Sequence, residues 1–266
     1  MVNGPHRLDD LRTFTLGDLR ACPPGTGARV AIVDSGVAPA ALGPEADARS
    51  FFVRKSGVLS AVERCPAGDV QHHGTAVASV LRRLAPEASL TSVRVFDEQG
   101  RGSAAALRAA LEFCIREGFD VVNLSLGTRQ REAALDMYDL VDRATVARVV
   151  LVCATDNRGP PDYPAACTAL LAVDRMSADD PFALRFRDGH RVAFLAKGEN
   201  VEVLGPDGAP RVATGSSFAC PHVAAFAARL RAARPALHPF EVKTALHAAA
   251  RHAEGGGAGG EPSRAA

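Results

Sequence analysis

The chain has 266 residues, 47% hydrophobic and 23% charged, with 31 basic and 30 acidic side chains for a net charge of +1. That is enough apolar material for a sizeable core, with a charge content close to the roughly 25% of ordinary globular domains. Near-cancellation of charge argues against a polyanion-binding surface, so no nucleic-acid partner is expected.

No apolar run approaches the roughly 20 residues that span a bilayer, and the first ten residues lack the apolar stretch of a secretory signal. No membrane association and a cytoplasmic location are therefore expected. The six cysteines (Cys22, Cys65, Cys114, Cys153, Cys167, Cys220) show no C-x-x-C spacing, so no metal is expected on them. Cys114 and Cys153 lie in apolar runs and read as small core residues.

In chain order, Arg29-Val30-Ala31-Ile32-Val33 is a β-branched run ending at Asp34-Ser35-Gly36, the pattern of a buried strand entering a turn. Residues 75–84 carry apolar positions at helical spacing and stop at Ala85-Pro86. A strand is expected over 90–96, a helix over 103–117 closing at Gly118, a strand over 121–127, a helix over 132–147 and a strand over 149–154. From 169 to 212 the pattern changes to short strands and turns. Helices follow over 215–233 and 238–250.

This alternation predicts an α/β fold, doubly wound, with a mostly parallel central sheet and helices on both faces. In such sheets ligand groups gather at the carboxyl ends of the strands, where Asp34, Ser125 and Asn157 fall. The domain reading is an N-terminal extension over 1–27, one domain over 28–252 and a disordered glycine-rich tail over 253–266.

Three stretches carry chemistry. Asp34-Ser35-Gly36 places a carboxylate at a strand end, His72-His73-Gly74-Thr75 a histidine at a helix start, and Thr214-Gly215-Ser216-Ser217-Phe218 a serine at another. A serine hydroxyl is a poor nucleophile until a base accepts its proton. That base needs an acidic partner to hold its tautomer. A helix N-terminus also offers backbone N–H groups to a developing oxyanion. Each stretch alone is more often a turn, cap or solvated residue; their joint occurrence in the order Asp, His, Ser matches a known arrangement of the triad.

On these motifs the sequence resembles the subtilisin family of serine peptidases, the subtilases, from about residue 28 to about 250. The matching segments are Asp34-Ser35-Gly36, His73-Gly74-Thr75-Ala76 and Gly215-Ser216-Ser217-Phe218-Ala219-Cys220-Pro221-His222. The resemblance implies Asp34, His73 and Ser217 as catalytic triad, with His73 chosen over His72 and Ser217 over Ser216 by register. It implies Asn157 as the side-chain donor to the oxyanion, beside the Ser217 N–H. Ser125, Leu126 and Gly127 become the substrate-binding wall of the primary specificity pocket. Asp156 stands where the family has glycine; a carboxylate at that wall would favour a basic residue on the acyl side of the scissile bond.

Other departures are milder. Ala76 replaces a second histidine outside the triad, and Ser216 replaces a threonine. Cys220 reads as a small buried residue or, in the alternative, a thiol that makes an enzyme sensitive to mercurials. His222 reads as structural. The loop that often binds calcium after the histidine helix is missing, so no calcium is expected there. With only 33 residues before Asp34, no propeptide is expected, and residues 1–27 are a candidate for a short inhibitory segment across the active site. No cofactor is implied, since no G-x-G-x-x-G or P-loop follows the first strand; this sets aside a nucleotide-binding reading.

The expected function is thus a serine endopeptidase acting on a peptide or protein substrate, with leader removal from a peptide precursor as one role. The competing reading is a non-catalytic subtilase-like scaffold or peptide-binding protein.

Overall fold

The computed structural model describes residues 8–43, 45–56, 59–155, 162–188 and 193–255. Two short helices, α1 (Leu8–Arg12) and α2 (Leu16–Ala21), precede strand β1 (Arg29–Asp34), the two-residue strand β2 (Gly36–Val37) and helix α3 (Pro39–Leu42). Strands β3 (Ser50–Ser56), β4 (Leu59–Arg64) and β5 (Gly68–Asp69) lead to helix α4 (His73–Leu84), strand β6 (Ser89–Arg94), helix α5 (Ala104–Glu117) and strand β7 (Val121–Leu124). Helix α6 (Ala134–Val146), strands β8 (Val150–Ala154), β9 (Leu171–Met176), β10 (Leu184–Arg187), β11 (Ala193–Lys197), β12 (Val201–Leu204) and β13 (Pro210–Ala213), and helices α7 (Ser216–Ala233) and α8 (Pro239–Gly255) complete the chain.

The main sheet has the order β10-β11-β9-β8-β7-β1-β6-β3-β4. The pairs from β11 through to β3 are parallel, and the edge strands β10 and β4 are antiparallel to their neighbours. The expected doubly wound, mostly parallel fold is present. Strand β1 is flanked by β6 on one side and β7 on the other, so successive connections leave it in opposite directions. A crevice opens at the carboxyl ends of the strands at such a switch point, and Asp34 and Ser125 both face it from there.

Alternation along the strands divides the core in two. Val30 and Ile32 point into the layer of α4, α7 and α8, while Ala31 and Val33 point into the layer of α5 and α6. Helix α7 is buried around nearly its whole girth, with Ala219, Ala224, Ala225, Ala227 and Ala228 letting it lie close to the sheet.

Several expectations needed correction. The strand expected to reach residue 127 ends at Leu124, leaving Ser125, Leu126 and Gly127 as an irregular segment free to face the crevice. The β3–β4 hairpin was not anticipated. Helix α8 runs to Gly255, three residues into the segment expected as tail; residues 256–266 lie outside the described residues.

Residues 8–27 do not lie across the crevice. Leu11 and Leu19 are fully buried in the core, and the buried Arg229 of α7 donates to the carbonyls of Leu19, Arg20, Cys22 and Leu84. The extension is thereby sewn to the far end of α7.

Candidate active site

The first half of the site forms where β1 ends. Asp34 is 1% exposed; its Oδ1 accepts the Ser35 N–H at 2.7 Å and the His73 Nδ1–H at 2.8 Å, with Oδ2 3.0 Å from the same nitrogen. The His73 side chain is 32% exposed, so one edge of the ring is fixed on a buried carboxylate and the other reaches the crevice. Donation from Nδ1 leaves Nε2 as the basic nitrogen.

Close backbone approach makes this possible. A Cβ on Gly74 would lie 2.1 Å from the Gly36 carbonyl oxygen, and one on Gly36 (φ 107°) would lie 2.1 Å from that of Gly68. The α4 helix start therefore sits directly on the turn after Asp34.

His72, at the N-cap of α4, has φ 60° and makes no side-chain cap. Asp69 serves instead. Its Oδ2 accepts the Thr75 N–H and the Thr75 Oγ1–H, both at 2.7 Å, and its Oδ1 accepts the Ser35 Oγ–H at 2.7 Å and the Gln71 N–H at 3.1 Å. Ser35 Oγ in turn accepts the Gly74 N–H at 3.1 Å. Asp69 thus ties the Asp34 turn to the His73 helix. Sequence reasoning passed over it, although an acidic residue four places before the histidine, at a helix start, is a usable signal.

Burial pushes the His73 pKa down, but the Asp34 charge, the hydrogen bond to it and the Asp69 charge outweigh that. The net displacement is upward from 6.5.

The second half of the site is the start of α7. The Ser217 Oγ–H donates to the Ser125 carbonyl at 3.3 Å, and the Ser125 Oγ–H donates to the Ser217 carbonyl at 3.1 Å. Pro221 explains the second bond. A helical residue four places on would normally donate its N–H to the Ser217 carbonyl, but proline has none. Asn123 Nδ2 completes the set by donating to Ser125 Oγ at 3.0 Å.

The His73 ring packs against Phe218, the residue after Ser217, with centroids 5.5 Å apart. Among the described residues no His73–Ser217 hydrogen bond is formed. The Ser217 N–H, in the first turn of α7, donates to no carbonyl among the described residues, which leaves it aimed at whatever occupies the crevice.

Beside Ser217 lies an open cleft of about 810 Å³, walled by Ser125–Gln130, Ala154, Thr155, Asp162, Ser216 and Ser217. It brings Ser125, Leu126 and Gly127 together with Ser217. Asp156 and Asn157 lie outside the described residues. Among the described residues, no group of three or more His, Cys, Asp or Glu is placed to hold a metal ion.

Two neighbours of Ser217 on α7 are structural. His222 Nδ1–H donates to the Phe218 carbonyl at 2.9 Å, and burial pushes its pKa down to about 4. Cys220 is fully buried with Sγ 3.5 Å from the Val152 carbonyl, and burial drives its thiol pKa far up. A thiol so held is unreactive, against the mercurial-sensitive alternative.

A profile of the subtilase family matches residues 25–263. The chain belongs to the subtilase family. Similar proteins include the minor extracellular protease Epr of Bacillus subtilis, 31% identical over 80% of this subtilase and 33% of the relative. Subtilisin E of Bacillus subtilis is 28% identical over 86% and 61% of the two chains. A thermostable alkaline protease of Halalkalibacterium halodurans is 29% identical over 86% and 63%. The subtilase thus spans one third to just under two thirds of the length of these relatives. In fold it is similar to a cold-adapted subtilisin-like serine proteinase (TM-score 0.66, 22% identity, covering 85% of this chain and 82% of that one) and to the S41 psychrophilic protease (TM-score 0.65, 24% identity, covering 84% and 82%).

Proposed function

We propose that this subtilase is a serine endopeptidase that cleaves peptide bonds through an acyl-enzyme. The observation that carries the reading is a partly exposed histidine bound through Nδ1 to a buried carboxylate, its ring packed against the residue that follows a helix-start serine.

In this reading Asp34 holds the His73 tautomer and stabilises the imidazolium formed on proton uptake. The Ser217 hydroxyl rotates from the Ser125 carbonyl to His73 Nε2, which takes its proton as oxygen attacks the scissile carbonyl carbon. The oxyanion is met by the Ser217 N–H and, by resemblance, the Asn157 side chain. His73 then gives the proton to the departing amine. A water molecule, activated by the same nitrogen, hydrolyses the ester and regenerates the hydroxyl. In this reading Ser125, Leu126 and Gly127, which form no strand among the described residues, bind substrate backbone. Leader removal from a peptide precursor is a narrower form of the same reading.

The second reading, a non-catalytic peptide-binding scaffold, is favoured by one observation: the Ser217 hydroxyl donates to Ser125 and not to His73. A cleavage profile on a proteome-derived peptide library separates the two. The endopeptidase reading requires cuts inside peptides that vanish with Ser217→Ala. Identical profiles for wild type and variant, or no cuts at all, would leave the scaffold.

A further inference from the structure

Strand β7 buries an amide where its neighbours across the sheet are aliphatic. Asn123 sits opposite Ile32 of β1 on one side and Val152 of β8 on the other, and it is fully buried. Alternation along β7 sends Val122 and Leu124 into the layer of α5 and α6 and Val121 into that of α4, α7 and α8, so the Asn123 side chain faces the α7 layer. There its Nδ2 donates to Ser125 Oγ at 3.0 Å, and among the described residues its Oδ1 has no hydrogen-bond partner. A buried acceptor in that state weakens a fold, and leucine has the same branched shape without it. Packing alone does not account for an asparagine at this position.

The bond it makes sets a direction. Ser125 Oγ receives the amide proton, which leaves its own proton for the Ser217 carbonyl, 3.1 Å away. That carbonyl has no helical donor, because Pro221 stands four places on. The relay from Asn123 through Ser125 therefore replaces a missing rung of α7 at the nucleophile itself. The rest of the first turn is held by the Gly215 carbonyl, which accepts the Phe218 and Ala219 N–H groups at 3.0 and 3.3 Å. Neither of those bonds touches the Ser217 carbonyl.

We infer that Asn123 is a positioning residue for the nucleophile: acting through the Ser125 hydroxyl, its amide holds the peptide after Ser217 and keeps the Ser217 side chain and N–H aligned for attack. The inference rests on the serine endopeptidase reading above. Asn123 is fully buried and is not part of the cleft wall, so it touches no substrate. Its effect belongs on turnover and not on substrate binding. Without the amide the Ser125 hydroxyl gains rotamers and shares its proton with other acceptors, and the first turn of α7 loosens. A misplacement of about 1 Å caused by a change remote from the chemistry costs on the order of 100-fold.

The test compares wild type, Asn123→Leu, Ser125→Ala and the double variant, with Asn123→Ala as a second way of deleting the amide. On each are measured kcat and KM for a fluorogenic peptide amide, the rate of fluorophosphonate labelling, and the urea midpoint. Asn123→Leu is expected to lower kcat on the order of 10- to 100-fold and to slow labelling by a similar factor. KM should stay within about twofold of wild type, as expected for a group that acts only in the reaction step. The urea midpoint should not fall, since leucine removes the unpartnered Oδ1. In the Ser125→Ala background the same substitution should cost less than about twofold more, because the relay is already cut.

An unchanged kcat, or a loss that appears in KM instead, overturns the inference. So does a kcat loss that multiplies in full with that of Ser125→Ala, which is the mark of packing. This dependence on Ser125 can be read whatever the variants do to stability. If wild type cuts and is labelled while Asn123→Leu matches it, the role of Asn123 falls and the peptidase reading stands. If wild type neither cuts nor labels, both fall.

Discussion

Ser125 and Ser217 are joined by two reciprocal hydrogen bonds, each hydroxyl donating to the other residue's carbonyl. Pro221 is the reason the Ser217 carbonyl is available, since it removes the helical N–H that would otherwise occupy it. Ser125→Ala should therefore strand that carbonyl and cost about 1–2 kcal/mol. Adding Pro221→Ala supplies a new N–H and should recover part of the loss. Urea unfolding of the single and double variants checks this, and strictly additive losses would contradict it.

The Asp34–His73 bond sets the pH dependence. His73 must be neutral to act as base, and its pKa is displaced upward from 6.5. Activity should thus fall, as pH is lowered, on a limb displaced upward from the ordinary histidine value. Asp34→Asn removes the charge that raises it, so the limb should move to lower pH while turnover drops on the order of 10⁴-fold. A pH–kcat/KM profile of both proteins reads the two effects together.

Asp69 acts at one remove from His73. Its charge also raises the His73 pKa, and its four accepted hydrogen bonds hold the α4 start against the Asp34 turn. Asp69→Asn keeps most of the shape but loses the charge, so the acid limb should move to lower pH with Asp34 still in place. An unmoved limb would confine Asp69 to a purely structural part.

Arg229 is the clasp of helix α2. Its guanidinium serves four carbonyls on two separate segments, three of them in residues 19–22. Arg229→Met should cost about 3 kcal/mol, because the buried carbonyls lose their donor together. It should also open residues 8–27 to limited proteolysis. A wild-type urea midpoint with no new cleavage would refute the clasp.

How much was legible in the sequence depended on how local the cause was. The turn Asp34-Ser35-Gly36 and the segments around His73 and Ser217 carry their chemistry in three to nine consecutive residues. The structure brings Asp34 to His73, and His73 to Phe218 beside Ser217. Strand β1 and helix α5, with its Ser103 N-cap, were readable from period and cap. What escaped was non-local. Helices α1 and α2 are 5 and 6 residues long, too short to show a period; α2 is held by an arginine some 200 residues away, and α1 packs on α8. The β3–β4 hairpin interleaves Arg54, Glu63 and Arg64 with apolar positions at a sheet edge, which blurs a buried-strand pattern. Asp162 gave no sign beyond lying in a proline-rich stretch, because its position depends on the bridge between Thr128 and Tyr163.

Ser217 as an activated nucleophile is the feature on which the peptidase chemistry depends most directly. Wild-type protein treated with a fluorophosphonate and digested for mass spectrometry should carry one phosphonyl adduct, on Ser217 and not on Ser216. Labelling should disappear in Ser217→Ala and slow steeply in His73→Ala. An unlabelled wild type, or an adduct that persists after Ser217→Ala, would contradict the account.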